Sequence, residues 1–140
     1  MLQRDYIQRL IREFMAALQR FLEKKEIEDR RKTMHQLYMQ YLGDYGFYHS
    51  AGMDEVMKSF EQYVPEERID RMEMLAELYY TEADMLSEPI RTMQLERAFR
   101  LFDFIDSHCG TFSLERSKKM DDIARKLNSA GHADTSRPGA

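Results

Sequence analysis

Residues 72–106 have the sequence MEMLAELYYTEADMLSEPIRTMQLERAFRLFDFID, and this stretch decides the fold class. In two segments the apolar residues recur every three or four positions, which places them on one face of a helix. These positions are Ile69, Met72, Ala76, Tyr79 and Ala83 in the first segment, and Leu95, Ala98, Phe99, Phe102 and Ile105 in the second. Between the two segments lies the turn-forming sequence Ser87-Glu88-Pro89. The pattern therefore predicts two amphipathic helices joined by a turn.

The composition of the whole chain favours the same class of structure. Only 6 of the 140 residues are Gly and 3 are Pro, whereas 33% are charged. Few helix breakers and many charges are typical of long amphipathic helices rather than of sheets. We predict an all-α fold, an antiparallel bundle of about six helices. Because residues from Asn128 onward are small and polar without periodicity, we expect a single domain at residues 1–128 and a disordered tail at residues 129–140.

The N-terminal half contains the longest helical pattern, and where its helices end is less evident. The sequence around Lys25 contains no Gly or Pro, so one helix could run from the N-terminus to Tyr41. Since such a helix would be far longer than is usual in a small domain, a break near Lys25 is expected, with the second helix folding back. Gly43 and Gly46 predict the end of that second helix, and residues 47–52 are expected to form a loop.

Two resemblances follow from short motifs. Leu75-Ala76 with Tyr79, and Ala98 with Phe102, resemble the two helices of a tetratricopeptide repeat. The link between the helices is longer than the compact turn of that repeat, and no proline follows Ile105, so the resemblance implies a degenerate repeat. The opening MLQRDYIQRLIREF resembles a family of small bacterial all-helical proteins of unknown function. That second resemblance implies a helical fold and no particular activity.

Charge distribution and cysteine usage narrow the classes of partner. Residues 1–32 contain nine Lys and Arg against six Asp and Glu, whereas residues 54–88 contain three against eleven. So acidic a middle argues against nucleic acid as the partner, because phosphate binding needs a basic surface. The acidic run from Glu61 to Glu88 is expected to form the solvated face of helices, or alternatively a surface for a basic peptide. The single cysteine, the lack of a secretion signal and the lack of an apolar run of about 18 residues predict a cytoplasmic protein that does not enter a membrane.

One short segment gathers residues that are able to carry chemistry. Asp103, Asp106, His108 and Cys109 could ligate a metal, or His108 could activate the Cys109 thiol as a nucleophile. However, no zinc or di-iron spacing and no nucleophile or phosphate-loop motif accompanies them. We interpret them as polar residues at the end of a helix. The sequence thus predicts a protein that is not an enzyme and that holds no metal or cofactor.

A second segment is rich in aromatic residues. Five aromatic residues and one histidine fall within twelve positions: Tyr38, Tyr41, Tyr45, Phe47, Tyr48 and His49. Rigid rings with polar edges are common at protein interfaces, so these six residues are the candidate interaction surface. The competing interpretation is that they close one end of the bundle. The predicted function is a non-enzymatic interaction module that binds an unknown protein or peptide through packed helices and an aromatic or Met-bearing groove. The alternative is a protein that binds or converts a small ligand at the segment between Tyr45 and His49.

The first helix also predicts self-association. Its apolar positions form a long stripe: Ile7, Leu10, Ile11, Phe14, Leu18, Phe21 and Leu22. If this helix continued past Lys25, its outer part would extend beyond a domain of this size and expose apolar area. Because a symmetric pair of chains is the commonest way to cover such area, a homodimer is possible.

Overall fold

The structure is a computed structural model that describes residues 2–135, with the side chains of residues 4–129. This part of the chain contains no strand, so the predicted all-α class is confirmed. A single turn of 3₁₀ helix, Phe60–Gln62, follows the fourth α-helix. The α-helices within the described range are α1 Leu2–Glu23, α2 Ile27–Tyr41, α3 Tyr45–Ser50, α4 Met53–Ser59, α5 Pro65–Ala83, α6 Ile90–His108 and α7 Leu114–Thr135.

The chain divides into two compact units, Met1–Leu78 and Tyr79–Ala140. The boundary between them lies inside α5, so neither unit contains that helix whole. The prediction of a single domain over residues 1–128 stays a prediction. In the first unit α1 and α2 contact each other, and in the second unit α6 and α7 do.

The predicted break near Lys25 is confirmed. Helix α1 ends at Glu23 and α2 begins at Ile27. Phe14 meets Tyr41 with ring centroids 5.1 Å apart, and Phe21 lies under the Arg30 guanidinium at 5.0 Å. Because a position early in α1 meets the end of α2 and a later position meets its beginning, the two helices are antiparallel. The long helix on which the homodimer prediction depended therefore does not form.

The predicted count of six helices is wrong by one, because residues 45–50 form a helix where a loop was expected. Asp44 caps this helix: its Oδ2 accepts a hydrogen bond of 3.0 Å from the backbone N–H of Phe47. The Ser50 hydroxyl adds a bond of 2.7 Å to the carbonyl of Gly46. An aspartate at this position satisfies an N–H group that would otherwise lack an acceptor. The cap stabilises a short helix despite the glycine in its first turn.

The two predicted helices and the link between them are confirmed, since α5 and α6 are separated by residues 84–89. Their predicted apolar positions are buried except Ile69 and Phe99, which are partly exposed. Helix α5 is buried over more than one face, since every residue from Met74 to Tyr79 is buried, including Glu77. An amphipathic helix buries one stripe, so a helix that is enclosed on several sides was not predicted.

The last helix extends beyond its predicted end. A disordered tail was expected to begin at residue 129, but α7 continues to Thr135. Residues 136–140, the remainder of the predicted tail, lie outside the described residues.

Candidate functional site

Three of the six candidate surface residues belong to the core. Tyr38, Tyr41 and Tyr48 are 0%, 3% and 2% exposed. Tyr38 and Tyr41 lie on the same face of α2 as the buried Met34 and Leu37. Burial, and next the negative charge of Glu13, raise the pKa of Tyr41, so its hydroxyl remains protonated at neutral pH. These three tyrosines support the helices from inside and do not form a surface, which corrects that part of the prediction.

The other three, Tyr45, Phe47 and His49, are partly exposed in α3. Tyr45 and His49 are one helical turn apart, so their rings lie on the same side of the helix. The two rings stack with centroids 3.8 Å apart and planes inclined by 19°. Phe47 points elsewhere and meets the ring of Tyr48 edge-on at 5.1 Å. The structure therefore brings Tyr45 and His49 together, whereas Phe47 does not join their stack.

A residue that the sequence analysis missed completes this stack. His35, from α2, covers the opposite face of Tyr45 with centroids 3.6 Å apart and planes inclined by 15°. Tyr45 is thus held between two imidazole rings that come from different helices. His35 precedes Tyr38 by three positions, and this helical spacing was the only indication in the sequence that it belongs with the aromatic segment.

The stack rests on a rigid support. The buried ring of Tyr38 meets Tyr45 edge-on at 5.0 Å and His49 at 4.9 Å. His49 Nδ1 also lies 2.7 Å from the carbonyl oxygen of Tyr45, within hydrogen-bonding distance. Edge-to-face and offset-stacked arrangements are the favourable geometries for aromatic pairs. These contacts orient Tyr45 and His49, and the Tyr45 ring in turn stacks against His35.

A large apolar side chain extends the exposed side of α2. Met39 is 60% exposed and follows His35 by one helical turn, so both side chains leave the same side of the helix. We call the set formed by His35, Met39, Tyr45 and His49 the stacked face. It combines two ionisable rings, a phenol and a flexible thioether on one exposed area of the first unit.

The segment from Asp103 to Cys109 is occupied by structural contacts. Arg116 is only 4% exposed. Its guanidinium donates hydrogen bonds to Asp106 at 2.7 Å, to the Cys109 sulfur at 3.4 Å and to the Thr111 carbonyl oxygen at 2.9 Å. Hydrogen bonding with Thr111 and the nearby charge of Arg116 lower the pKa of the Cys109 thiol. Arg116 thereby joins the end of α6 to the start of α7. His108 takes no part in this network and instead stacks on Phe104 at 3.9 Å.

Among the residues that the structure describes, no three His, Cys, Asp or Glu side chains are grouped closely enough to hold a metal ion.

The acidic residues of α5 are not all solvated, which corrects the expectation of a solvated face. Glu67, Glu77 and Glu82 are only 6%, 7% and 3% exposed. Glu67 forms an ion pair of 2.7 Å with Arg71, and Glu82 accepts a hydrogen bond of 2.8 Å from Gln94. Buried carboxylates need such partners because they lose their hydration. These residues therefore contribute to the internal structure of each unit.

Three surface cavities lie apart from the stacked face. One of about 690 Å³ in the first unit is lined mainly by Arg4, Glu66, Glu67 and Asp70. Two in the second unit, of about 440 and 580 Å³, share Arg125. Neither Tyr45 nor His49 lines any of these three cavities.

Comparison with known proteins adds no assignment, because the chain matches no protein-family model, no curated protein and no solved structure. The resemblances to tetratricopeptide repeats and to a bacterial family therefore remain expectations. Across residues 2–135, every helix is too short or too polar to cross a lipid bilayer.

Proposed function

We propose that this protein is a non-enzymatic interaction module that binds a partner protein through the stacked face. The observation that carries the proposal is the fixed sandwich of Tyr45 between His35 and His49, at 3.6 and 3.8 Å, on an exposed side of two helices. Side chains that are already ordered before binding lose little conformational entropy when a partner covers them. Such rings are therefore efficient contact residues.

The chemical composition of the stacked face agrees with this function. Aromatic residues and methionine are enriched in protein interfaces, whereas Lys, Glu and Asp are depleted. Met39 adds 60%-exposed apolar area that adapts to the shape of a partner, because its side chain is flexible. The imidazoles and the Tyr45 hydroxyl supply hydrogen-bonding groups at the edges of the rings. We expect the partner to present an apolar or aromatic side chain to this face.

The alternative of a small ligand at Tyr45–His49 is less well supported. A ligand pocket there requires space between the aromatic side chains. At centroid distances of 3.6 and 3.8 Å the rings are already in van der Waals contact, so a planar ligand has no room between them. Tyr48, which lies within that segment, is buried and packs inside.

The helical framework is also compatible with an interaction module. The α5–α6 hairpin resembles one unit of a tetratricopeptide repeat, and repeat proteins of this type use packed helix pairs to build binding surfaces. Because unrelated functions share such helix pairs, the geometry of the stacked face carries the proposal.

The test is affinity capture with matched methionine variants. Met39→Asp places a charge on the stacked face, and Met93→Asp places one at a methionine of similar exposure, 54%, in α6. Each immobilised chain is incubated with extract of the native cell, and bound proteins are quantified by mass spectrometry. The partner is then purified and its affinity for each variant is measured by calorimetry.

We expect the wild type and Met93→Asp to bind the same partner equally. Met39→Asp and His35→Ala should lose about tenfold or more in affinity, as is typical when a central contact residue is lost. Equal binding by Met39→Asp and Met93→Asp would contradict the proposal. Native mass spectrometry of the purified chain tests the alternative, because a bound small molecule lost on Tyr45→Ala would favour the ligand function.

A further inference from the structure

The corner between α1 and α2 exposes apolar side chains that continue the stripes of the core. On α2 the inward stripe includes Met34, Leu37 and Tyr41, which are buried, but its first member, Ile27, is 67% exposed. On α1 the predicted stripe ends with Leu22, which is 53% exposed. The helices are separated here by only three residues, so both side chains lie at the same end of the pair. Each belongs to a core-facing pattern that the rest of the unit does not cover.

An unsatisfied cation lies in the same corner. The guanidinium of Arg30 lies over the ring of the buried Phe21, 5.0 Å from its centroid. Its Nε is buried and has no hydrogen-bond partner, and no carboxylate within the described residues forms an ion pair with this side chain. A buried donor without an acceptor costs about 1 to 3 kcal/mol, and more when the group is charged. The side chain as a whole is only partly buried, so an acceptor from outside the chain can reach the outer N–H groups of the guanidinium and add the charge-assisted hydrogen bonds that the chain itself does not supply.

The corner also contains carboxylates that make no ion pair with the described residues. Glu23 and Glu26 are exposed on either side of the break between the helices. Glu26 precedes Arg30 by four positions, a spacing at which such pairs commonly form on a helix. Since Arg30 instead extends across Phe21, the pair is not made within the chain. The corner thus contains both an unsatisfied donor and the type of acceptor that it lacks.

We propose that this corner is the contact surface of a homodimer. In a two-fold interface the same patch occurs on both subunits, so the patch has to be complementary to itself. The α1–α2 corner meets this requirement: Leu22 and Ile27 pack against the same residues of a second copy. In addition, a carboxylate of Glu23 or Glu26 from each copy reaches Arg30 of the other.

The charges at the α1–α2 corner indicate which kind of molecule covers it. A basic partner would leave Arg30 unsatisfied, and a purely apolar one would bury it further. A second copy supplies two acceptors and two apolar side chains at once, and the symmetry makes each contact twice. This dimer differs from the one expected from a protruding first helix, because α1 ends at Glu23 and the contact is at the corner. The corner shares no residue with the stacked face.

Analytical ultracentrifugation of the full chain tests the proposal. At high micromolar concentration we expect the wild type to sediment with twice the chain mass of 16.8 kDa. Ile27→Asp and Arg30→Glu should each sediment as monomers. The matched control is Met39→Asp, which substitutes a residue of similar exposure elsewhere on α2 and should retain the dimer. Circular dichroism verifies that each variant is folded.

A charge-exchange experiment tests the pairing itself. In a chain with Arg30→Glu the three positions of the proposed pairing, 23, 26 and 30, are all acidic, and in a chain with Glu23→Arg and Glu26→Arg all three are basic. Each should be monomeric alone because like charges would meet across the two-fold axis. Mixed together, they should form a heterodimer, since every pair is then of opposite charge. A monomeric wild type, a dimer that survives both Ile27→Asp and Arg30→Glu, or a failure of the mixture to associate would overturn the proposal.

Discussion

Two arginines of the first unit, Arg71 and Arg30, both lie over an aromatic ring but differ in their polar contacts. The guanidinium of Arg71 lies 4.7 Å from the centroid of the Tyr63 ring, and that of Arg30 lies 5.0 Å from the centroid of Phe21. Arg71 also pairs with Glu67 at 2.7 Å and donates to the carbonyl oxygen of Tyr41. Arg30 has no such partners among the described residues.

This difference indicates that Arg71 has a structural role, whereas the charge of Arg30 is available for contact with another molecule. Arg71 links α5 to the end of α2, and its charge is balanced inside the unit. A buried cation whose partners are present contributes little to recognition because it has nothing left to bind. A cation such as Arg30, partly desolvated and without an acceptor, gains from any partner that provides one. This contrast supports the assignment of the α1–α2 corner as a contact surface.

The largest expected effect is at Arg71. The substitution Arg71→Met keeps the apolar stem but removes the charge, which leaves the carboxylate of Glu67 buried without its ion-pair partner. The free energy of unfolding should fall by about 3 to 5 kcal/mol, as is typical when one partner of a buried pair is removed. Urea unfolding followed by circular dichroism measures the loss.

Glu67, the ion-pair partner of Arg71, provides a control for this prediction. Adding Glu67→Gln to Arg71→Met should recover part of the lost stability, because the unpaired charge is then removed. A loss below about 1 kcal/mol for the single variant would show that Arg71 is not the structural charge of this comparison.

At Asp70, next to Arg71, we expect a substitution to have an intermediate effect on stability that depends on pH. Burial, and next the negative charge of Glu67, raise the pKa of Asp70 above its ordinary value of 3.8. A raised pKa in the folded state favours folding at low pH, and this contribution is lost as the pH rises through the folded pKa. Hence Asp70 in its charged form destabilises the protein at neutral pH.

The variant Asp70→Asn should accordingly melt at a higher temperature than the wild type at pH 7. Below the ordinary pKa of 3.8 the difference should disappear, because Asp70 is then neutral in both states. Thermal melts at several pH values measure this dependence. The control is Glu66→Gln, an exposed carboxylate of the same helix, which should change the melting temperature less. A lower melting temperature for Asp70→Asn at pH 7 would contradict the assigned direction.

The smallest effect is expected for Arg30→Met, the same substitution as at Arg71. Because Arg30 has no ion pair or hydrogen bond to lose, the change removes only its contact with the Phe21 ring, worth about 0.5 to 1 kcal/mol. Removal of an unsatisfied donor offsets part of this loss. Urea unfolding at low protein concentration, where chains are monomeric, should show a change below about 1 kcal/mol. A loss comparable to that of Arg71→Met would place an internal partner at Arg30 and remove the basis of the comparison.

Local patterns were sufficient to predict most of the helices. The spacing of Met72, Ala76 and Tyr79 predicted α5, and that of Leu95, Ala98 and Phe102 predicted α6. Periodicity is a property of consecutive residues, so it is visible without the fold. Helix α3 was missed because Gly43 and Gly46 suggested a loop, while the cap from Asp44 depends on a specific hydrogen bond.

The candidate site was predicted only in part. Of its six residues Tyr45 and His49 are partly exposed and stacked together, whereas Tyr38, Tyr41 and Tyr48 are core residues. An aromatic ring that also carries a hydroxyl is compatible with either environment, so composition does not decide between them.

By itself, the sequence determined that the chain is helical, where most of its amphipathic segments lie, and which regions are acidic or rich in aromatic residues. Only the tertiary structure decided that His35 stacks on Tyr45, that Glu67 and Glu82 are buried and paired, and that Arg30 lacks an acceptor. The physical reason is that helix formation depends on neighbours within about four residues. Burial and pairing depend instead on side chains that are far apart in the chain and meet only after the helices pack.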